Sequence, residues 1–386
     1  MLAIQVLVAI VSVQASGASK DKMQHFEPTW ESLRQARTPE WFRDAKFGIW
    51  AHWGPQSVPE MGDWYARHMY GDRPELDTWE HDLAKAKRAA HDARWGHPSQ
   101  SGFKEVIHDW KAEKFDPEKL MDLYVRAGAK YFVSMGAHCD NFDLWDSKFQ
   151  PWNATKVGPK QNILSMWAQA ARKRGLHFGV SIHNNWAWRW WWTASQSDTT
   201  GPLKGVPYDG NLTLADGKGK WWEGLDPRQL YLRPRTPAES LSDDQADPIF
   251  VNNFKDRVED VVDRYRPDLI YFDWSTLPFR QTGLDIAAHY YNQSAKWNGG
   301  VAKAVMNVKV LPDIDRTACV LDVERGQTTG IEKWPYQTDT CFGDWFYNKG
   351  IKYKTATQVI HMLADVVSKN GTLLLNVPLH PTGEID

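Results

Sequence analysis

Residues 267 to 274 read PDLIYFDW. Leu269, Ile270, Tyr271 and Phe272 form an unbroken apolar run, the pattern of a strand covered on both faces in a parallel sheet. A carboxylate, Asp273, ends it. An ionised group beside a core is costly unless paired, so this position calls for a structural partner or a chemical task.

Similar runs recur at 47 to 53 (FGIWAHW), 131 to 138 (YFVSMGAH), 177 to 183 (HFGVSIH), 304 to 310 (AVMNVKV), 319 to 324 (CVLDVE) and 372 to 379 (TLLLNVPL). Helical patterns separate several of them. Residues 116 to 129 open with an Asp cap and a proline, 161 to 175 end in basic residues and glycine, and 252 to 265 repeat apolar positions at three and four. Strand, helix, strand repetition means a parallel sheet covered by helices. Seven or eight strands, with no GxGxxG turn after any of them, favour a (β/α)8 barrel over a doubly wound sheet. In a barrel the polar residues at strand ends, His52, His138, Asp140, His183, Asp273 and Glu324, converge on the C-terminal face. An Asp at a strand end, with a second carboxylate on the same rim, suits retaining glycoside hydrolysis.

The rhythm breaks at residues 187 to 250, a Gly, Pro and Trp-rich segment. It reads as an insertion over the active-site mouth, with Trp190, Trp191, Trp192, Trp221 and Trp222 as sugar platforms, or as a flap packed on itself. The chain's 22 tryptophans are roughly four times ordinary usage. Indole faces stack on pyranose rings, so this load fits sugar binding as well as extra core.

Forty-six basic against 48 acidic residues leave a net charge of -2, which argues against a nucleic-acid or anionic-membrane partner. Residues 2 to 13 are apolar but too short to span a bilayer, and small residues follow, so 1 to 17 read as a signal peptide and the protein as exported: secreted, periplasmic or lysosome-like. Four sequons, at Asn153, Asn211, Asn292 and Asn370, permit N-glycosylation. Cys139, Cys319 and Cys341 show no metal-ligand spacing and allow one disulfide at most.

FGIWAHWGPQSVPEMGDWYARHMY (47 to 70), GAHCDNFDLWDSKFQPWN (136 to 153), AARKRGLHFGVSIH (170 to 183), RYRPDLIYFDW (264 to 274), WPYQTDTCFGDWFYN (334 to 348) and NGTLLLNV (370 to 377) together resemble, in order, the α-L-fucosidases of glycoside hydrolase family 29. The resemblance covers nearly all of residues 25 to 386. It implies a catalytic barrel, terminal α-L-fucose on a glycan or oligosaccharide as substrate, a retaining mechanism, and no metal or other cofactor. Position by position, Asp273 falls on the nucleophile, and His52 and His138 fall on residues that hold fucose hydroxyls. Trp64 and Tyr65 lie in a segment lining the sugar pocket, His183 at a strand end facing it, and Arg325 resembles an arginine near the sugar.

Three departures stand out. Cys139 follows His138 where many members carry a second histidine. A β-sandwich commonly following the barrel is not recognised. The family's frequent Trp-Glu acid/base motif reads Trp334-Pro335, and proline cannot move protons. The acid is therefore expected elsewhere, at Glu324 with Glu332 and Asp339 as competitors. Two rival readings remain: a fucose-binding protein that has lost catalysis, and a metallohydrolase using His52, His138, Asp140 and His183.

Overall fold

Eight parallel strands pair in chain order, and the last pairs with the first to close a barrel. They are β1 (Phe47–Ala51), β2 (Tyr131–Ala137), β3 (His177–Ile182), β4 (Leu269–Phe272), β5 (Val305–Val308), β6 (Val320–Glu324), β7 (Tyr336–Cys341) and β8 (Gly371–Asn376). This computed structural model describes residues 23–386 apart from Leu241, Asp243 and Asp244. The expected signal peptide lies outside the described residues.

PDLIYFDW forms β4 because its two apolar sets serve two cores. Leu269 and Tyr271 join Trp50, Tyr131, Val133, Val305, Val320 and Leu374 inside the barrel. Ile270 and Phe272 instead join the layer between sheet and helices. The interior is partly polar. Tyr131 donates to Gln337, Gln337 to Asp322, Tyr271 to Asp339 and Trp50 to Ser181. Gly48 admits the Tyr131 ring, because a Cβ there would stand 2.3 Å from it.

The helices Pro117–Arg126, Ile163–Lys173, Pro248–Tyr265, Gln281–Trp297 and Ala356–Ser368 cover the sheet. Cover is uneven. Only a short turn, Asp313–Asp315, lies between β5 and β6, and no helix lies between β6 and β7. The strand β7 has no apolar run to announce it, since its inward Gln337 and Asp339 are polar.

Two long segments rise over the C-terminal face, residues 52–130 after β1 and 183–268 after β3. Asp209 joins them. Its fully buried carboxylate accepts from Tyr70 (2.8 Å), Tyr231 (2.6 Å) and the Lys104 ammonium (3.0 Å). Gly102 allows the approach, since a Cβ there would meet this carboxylate at 2.0 Å. Trp191 and Trp222 are buried in this packing and serve as core, which corrects the platform reading for them; Trp190 and Trp192 are also largely buried but line a cleft beside Trp64. A sugar stacks only on a face it can reach. Trp221 is exposed, but it packs on His108, 4.3 Å between ring centres.

All three cysteines are free and buried. Each sequon asparagine gives its amide to a backbone carbonyl, and Asn153 is wholly buried. Among the described residues no helix is long and apolar enough to cross a membrane.

Replacing Asp209 by Ala leaves buried Lys104 with Glu105, 2.9 Å away, as its remaining ion-pair partner and strips the Tyr70 and Tyr231 hydroxyls of their acceptor, a loss of about 3 kcal/mol, the low end for a broken buried pair. Chemical denaturation should show a stability drop of that order. Lys104→Met in the same background should recover part of it.

Candidate active site

Period-two alternation carries the inward set of each strand one step beyond its end. The next inward positions are His52 after β1, His183 after β3, Asp273 after β4, Lys309 after β5 and Glu324 at the end of β6. In β2 the register shifts between Met135 and Ala137. That irregularity turns His138, rather than Cys139, toward the axis.

Asp273 is the electrostatic centre. Its Oδ2 lies 3.2 Å from His183 Nδ1, and its Oδ1 lies 2.7 Å from Lys309 Nζ. Lys309 Nζ also ion-pairs with Glu324 Oε2 at short range. Burial alone would raise the Asp273 carboxyl, but the Lys309 charge and the His183 hydrogen bond outweigh it and hold the group well below the usual carboxylate range. Burial likewise opposes the Lys309 charge, yet Asp273, Asp339 and Glu324 together raise its pKa. Lys309 is a site residue that the strand reading missed, although AVMNVKV carried the signal: 305, 307 and 309 share one face.

Three imidazoles form the floor. The His138 and His183 rings lie 5.0 Å apart and stacked, and His52 meets both at 5.0–6.0 Å. All three are buried, with one ring nitrogen each within 4.8 Å of the others. Burial first, then the neighbouring imidazoles, lower the pKa of His52 well below the ordinary histidine value, and burial and His183 do the same to His138. Both rings are therefore neutral at pH 7. His52 Nδ1 and His183 Nε2 have no partner among the described residues. Trp345 and Phe346, after β7, pack on these rings.

Asp63 is a second residue that the sequence reading missed. It lies 3.8 Å from His138 Nε2 and accepts from the Trp64 N–H at 2.8 Å. Burial, with help from Asp344 and Asp273, pushes its carboxyl up to about 7 against the opposing pull of Lys87 and the Trp64 N–H. The triplet Asp63-Trp64-Tyr65 was noticed only for its aromatics.

The remaining expected residues divide. Trp64, held at φ 62°, lines a cleft of about 400 Å³ with Asp63, Glu324, Arg325, Asp344 and Trp345. Arg325 sits 4.0 Å from Asp344 and stacks its guanidinium 5.0 Å over Trp345. Tyr65 is fully buried, with its hydroxyl 3.0 Å from His91 Nδ1, and lines neither this cleft nor the neighbouring one beside Trp64. Asp140 is buried and accepts from the Phe142 N–H within its own turn.

The competitors to Glu324 lie elsewhere. Glu332 contacts Arg316 at 3.8 Å, and its N–H bonds to the carbonyl of Lys369, just before β8 begins. That is the N-terminal face of the barrel. Trp334-Pro335 directly precedes β7 and lies at the same face, so the proline removes no acid from the site. Asp339 is buried inside the barrel on Tyr271, where burial first and then the nearby carboxylates raise it to about 6.

The family model described as Alpha-L-fucosidase matches residues 13–386. The chain is 25% identical over 395 residues to the tissue alpha-L-fucosidase of Rattus norvegicus, covering 98% of this chain and 71% of the rat protein. It is 30% identical over 371 residues to the tissue alpha-L-fucosidase of Homo sapiens, covering 92% of this chain and 66% of that one. The crystal structure of Thermotoga maritima alpha-fucosidase in complex with fucose superposes with a TM-score of 0.66 at 25% identity, covering 94% and 73% of the two chains.

The raised Asp63 carboxyl has a signed consequence. Its folded pKa exceeds the unfolded value of about 3.9, so its contribution to stability is complete below that pH and is lost as pH rises toward 7. Asp63→Asn removes this dependence. Thermal unfolding of the wild type should therefore lose several degrees relative to Asp63→Asn between pH 4 and pH 8, and parallel curves would count against a buried, protonatable Asp63.

Proposed function

The chain belongs to the alpha-L-fucosidase family, and from that premise we propose that it hydrolyses terminal α-L-fucosides with retention, Asp273 acting as nucleophile and Glu324 as acid/base. The observation that carries this reading is the single Lys309 ammonium held by both carboxylates. Two oxygens that share one donor nitrogen are separated by no more than two hydrogen-bond lengths, about 5.6 Å. This ceiling on the nearest oxygens is compatible with the roughly 5–5.5 Å of retaining enzymes and favours it over the 6.5–9.5 Å or so of inverting ones.

In the first step Asp273, kept ionised by Lys309 and His183, attacks the anomeric carbon. Glu324, which enters this step in its protonated form while Lys309 pairs with Asp273, gives that proton to the departing glycosidic oxygen. The ester that forms has no charge on residue 273, so Lys309 is left with Glu324 as its near ion-pair partner. That favours the ionised form of Glu324, which is the form needed to take a proton from the incoming water. The cation is thus poised to assist the change of role between the two half-reactions.

His52 Nδ1 and His183 Nε2 are buried ring nitrogens awaiting a partner. An unpaired buried polar atom costs roughly 1–3 kcal/mol, which a sugar hydroxyl would recover on binding. Trp64 and Arg325 border the adjoining cleft that Glu324 lines, while Tyr65 is hydrogen-bonded to His91 outside it. The three imidazoles also resemble a metal-ligand set, but the Lys309 ammonium beside Asp273 opposes a second cation there.

Release of free fucose from an aryl fucoside tests the reading directly. Asp273→Ala should lower kcat by about a thousandfold or more. Glu324→Ala should lose about 10²–10⁴-fold on an unactivated disaccharide, with much less loss on an activated aryl fucoside and rescue by azide. Activity should survive chelation. Retained turnover in Asp273→Ala would leave binding without this chemistry, or another nucleophile.

A further inference from the structure

The cleft that borders Glu324 has features that fucose recognition leaves unused. It measures about 400 Å³, within the range of small-molecule sites, and Glu324 lines it whereas Asp273 does not. If Glu324 protonates the glycosidic oxygen, the departing group leaves on this side of the anomeric carbon. Trp79 stands in the cleft with 53% of its surface exposed, in contrast to the buried tryptophans of the roof. Trp64 meets it edge-on, ring centres 5.4 Å apart, so the two indoles form a corner.

We propose that this cleft is the leaving-group subsite and takes one neutral hexopyranose, whose apolar face stacks on Trp79 while Arg325 and Asn348 bind its hydroxyls. The proposal rests on the reading of Glu324 as proton donor. An indole offers a flat apolar face of the kind a pyranose ring presents, and the polar groups around it fix orientation. Arg325 is half-exposed, and among the described residues its one ion-pair contact is the 4.0 Å approach to Asp344, which leaves N–H groups for a ligand. Asp63, Glu324 and Asp344 face Lys87 and Arg325 across the cleft, which leaves no cationic excess to select a sulfated or carboxylated sugar.

The test compares kcat/KM for a fucosyl disaccharide with kcat/KM for an aryl fucoside that carries no second sugar. Trp79→Ala should lower the disaccharide-to-aryl ratio by about 5–20-fold, with a matching rise in the inhibition constant of the free hexose. Trp79→Phe should recover most of the ratio, and Trp79→Leu, which keeps apolar bulk without an aromatic face, should not. A ratio within twofold of wild type in both Trp79→Ala and Trp79→Leu, with hydrolysis intact, overturns the subsite alone. Failure of the wild type to release fucose from either substrate, or persistence of release in Asp273→Ala, overturns the underlying reading as well.

Discussion

The ammonium of Lys309 is the constraint on which the site depends. Two carboxylates gathered at one end of a barrel repel each other, and burial adds a desolvation cost at Asp273. A cation between them offsets both terms. The sheet enforces the arrangement: Tyr271 pairs with Asn307, so Asp273 and Lys309 are neighbours one inward step further along β4 and β5. Asn307 pairs with Val320, so the Lys309 side chain extends past the level of Asp322 to meet Glu324 at the end of β6. Closure, strand parity and charge balance are thus one condition. A one-residue slip in β5 would turn Lys309 to the helix side and leave Asp273 and Glu324 facing each other alone.

Beneath this row the barrel interior has a different polar character. Asp322 and Asp339 are buried near each other, and burial first and mutual repulsion second raise Asp322 well above the usual carboxylate range. Burial favours the protonated acid at Asp322, whereas Asp273 in the level above is held ionised by Lys309 and His183. The contrast follows from the cation: Lys309 makes direct ion pairs with Asp273 and Glu324, and Asp339 instead accepts from the Tyr271 hydroxyl. Environment therefore divides chemically identical groups into charged and neutral ones, which acid/base chemistry requires.

Much of this was legible from alternation alone. PDLIYFDW announces a strand with two apolar faces and a carboxylate at its active end, and the same reasoning finds His52, His183 and Glu324. Lys309 was equally legible, but a lysine after an apolar run reads as solvated until its neighbours are known. His138 needed the register shift in β2, which no apolar pattern reports. The strand β7 was hidden because half its side chains are the polar interior, and Trp334-Pro335 looked damaging because sequence does not say at which end of a strand a motif lies. The tryptophan-rich insertion misled for a related reason: composition counts aromatic faces without saying which are spent on Asp209 and its surrounding core.

The uneven cover of the barrel gives the site a direction. Long segments after β1 and β3 build a roof over one side, bury His138 and His183 and leave Asp273 partly covered. The connections from β5 to β6 and from β6 to β7 are short and carry no long helix. Glu324 consequently ends its strand at an open edge, with 37% of its side chain exposed against 22% for Asp273. A nucleophile benefits from a dry, fixed setting, because its charge is then stabilised only by groups already in place. An acid/base must meet both a departing group and an incoming water, and so needs access. Under the proposed assignment, loop lengths on the two sides of the barrel supply those opposite environments to Asp273 as nucleophile and Glu324 as acid/base, on strands separated only by β5.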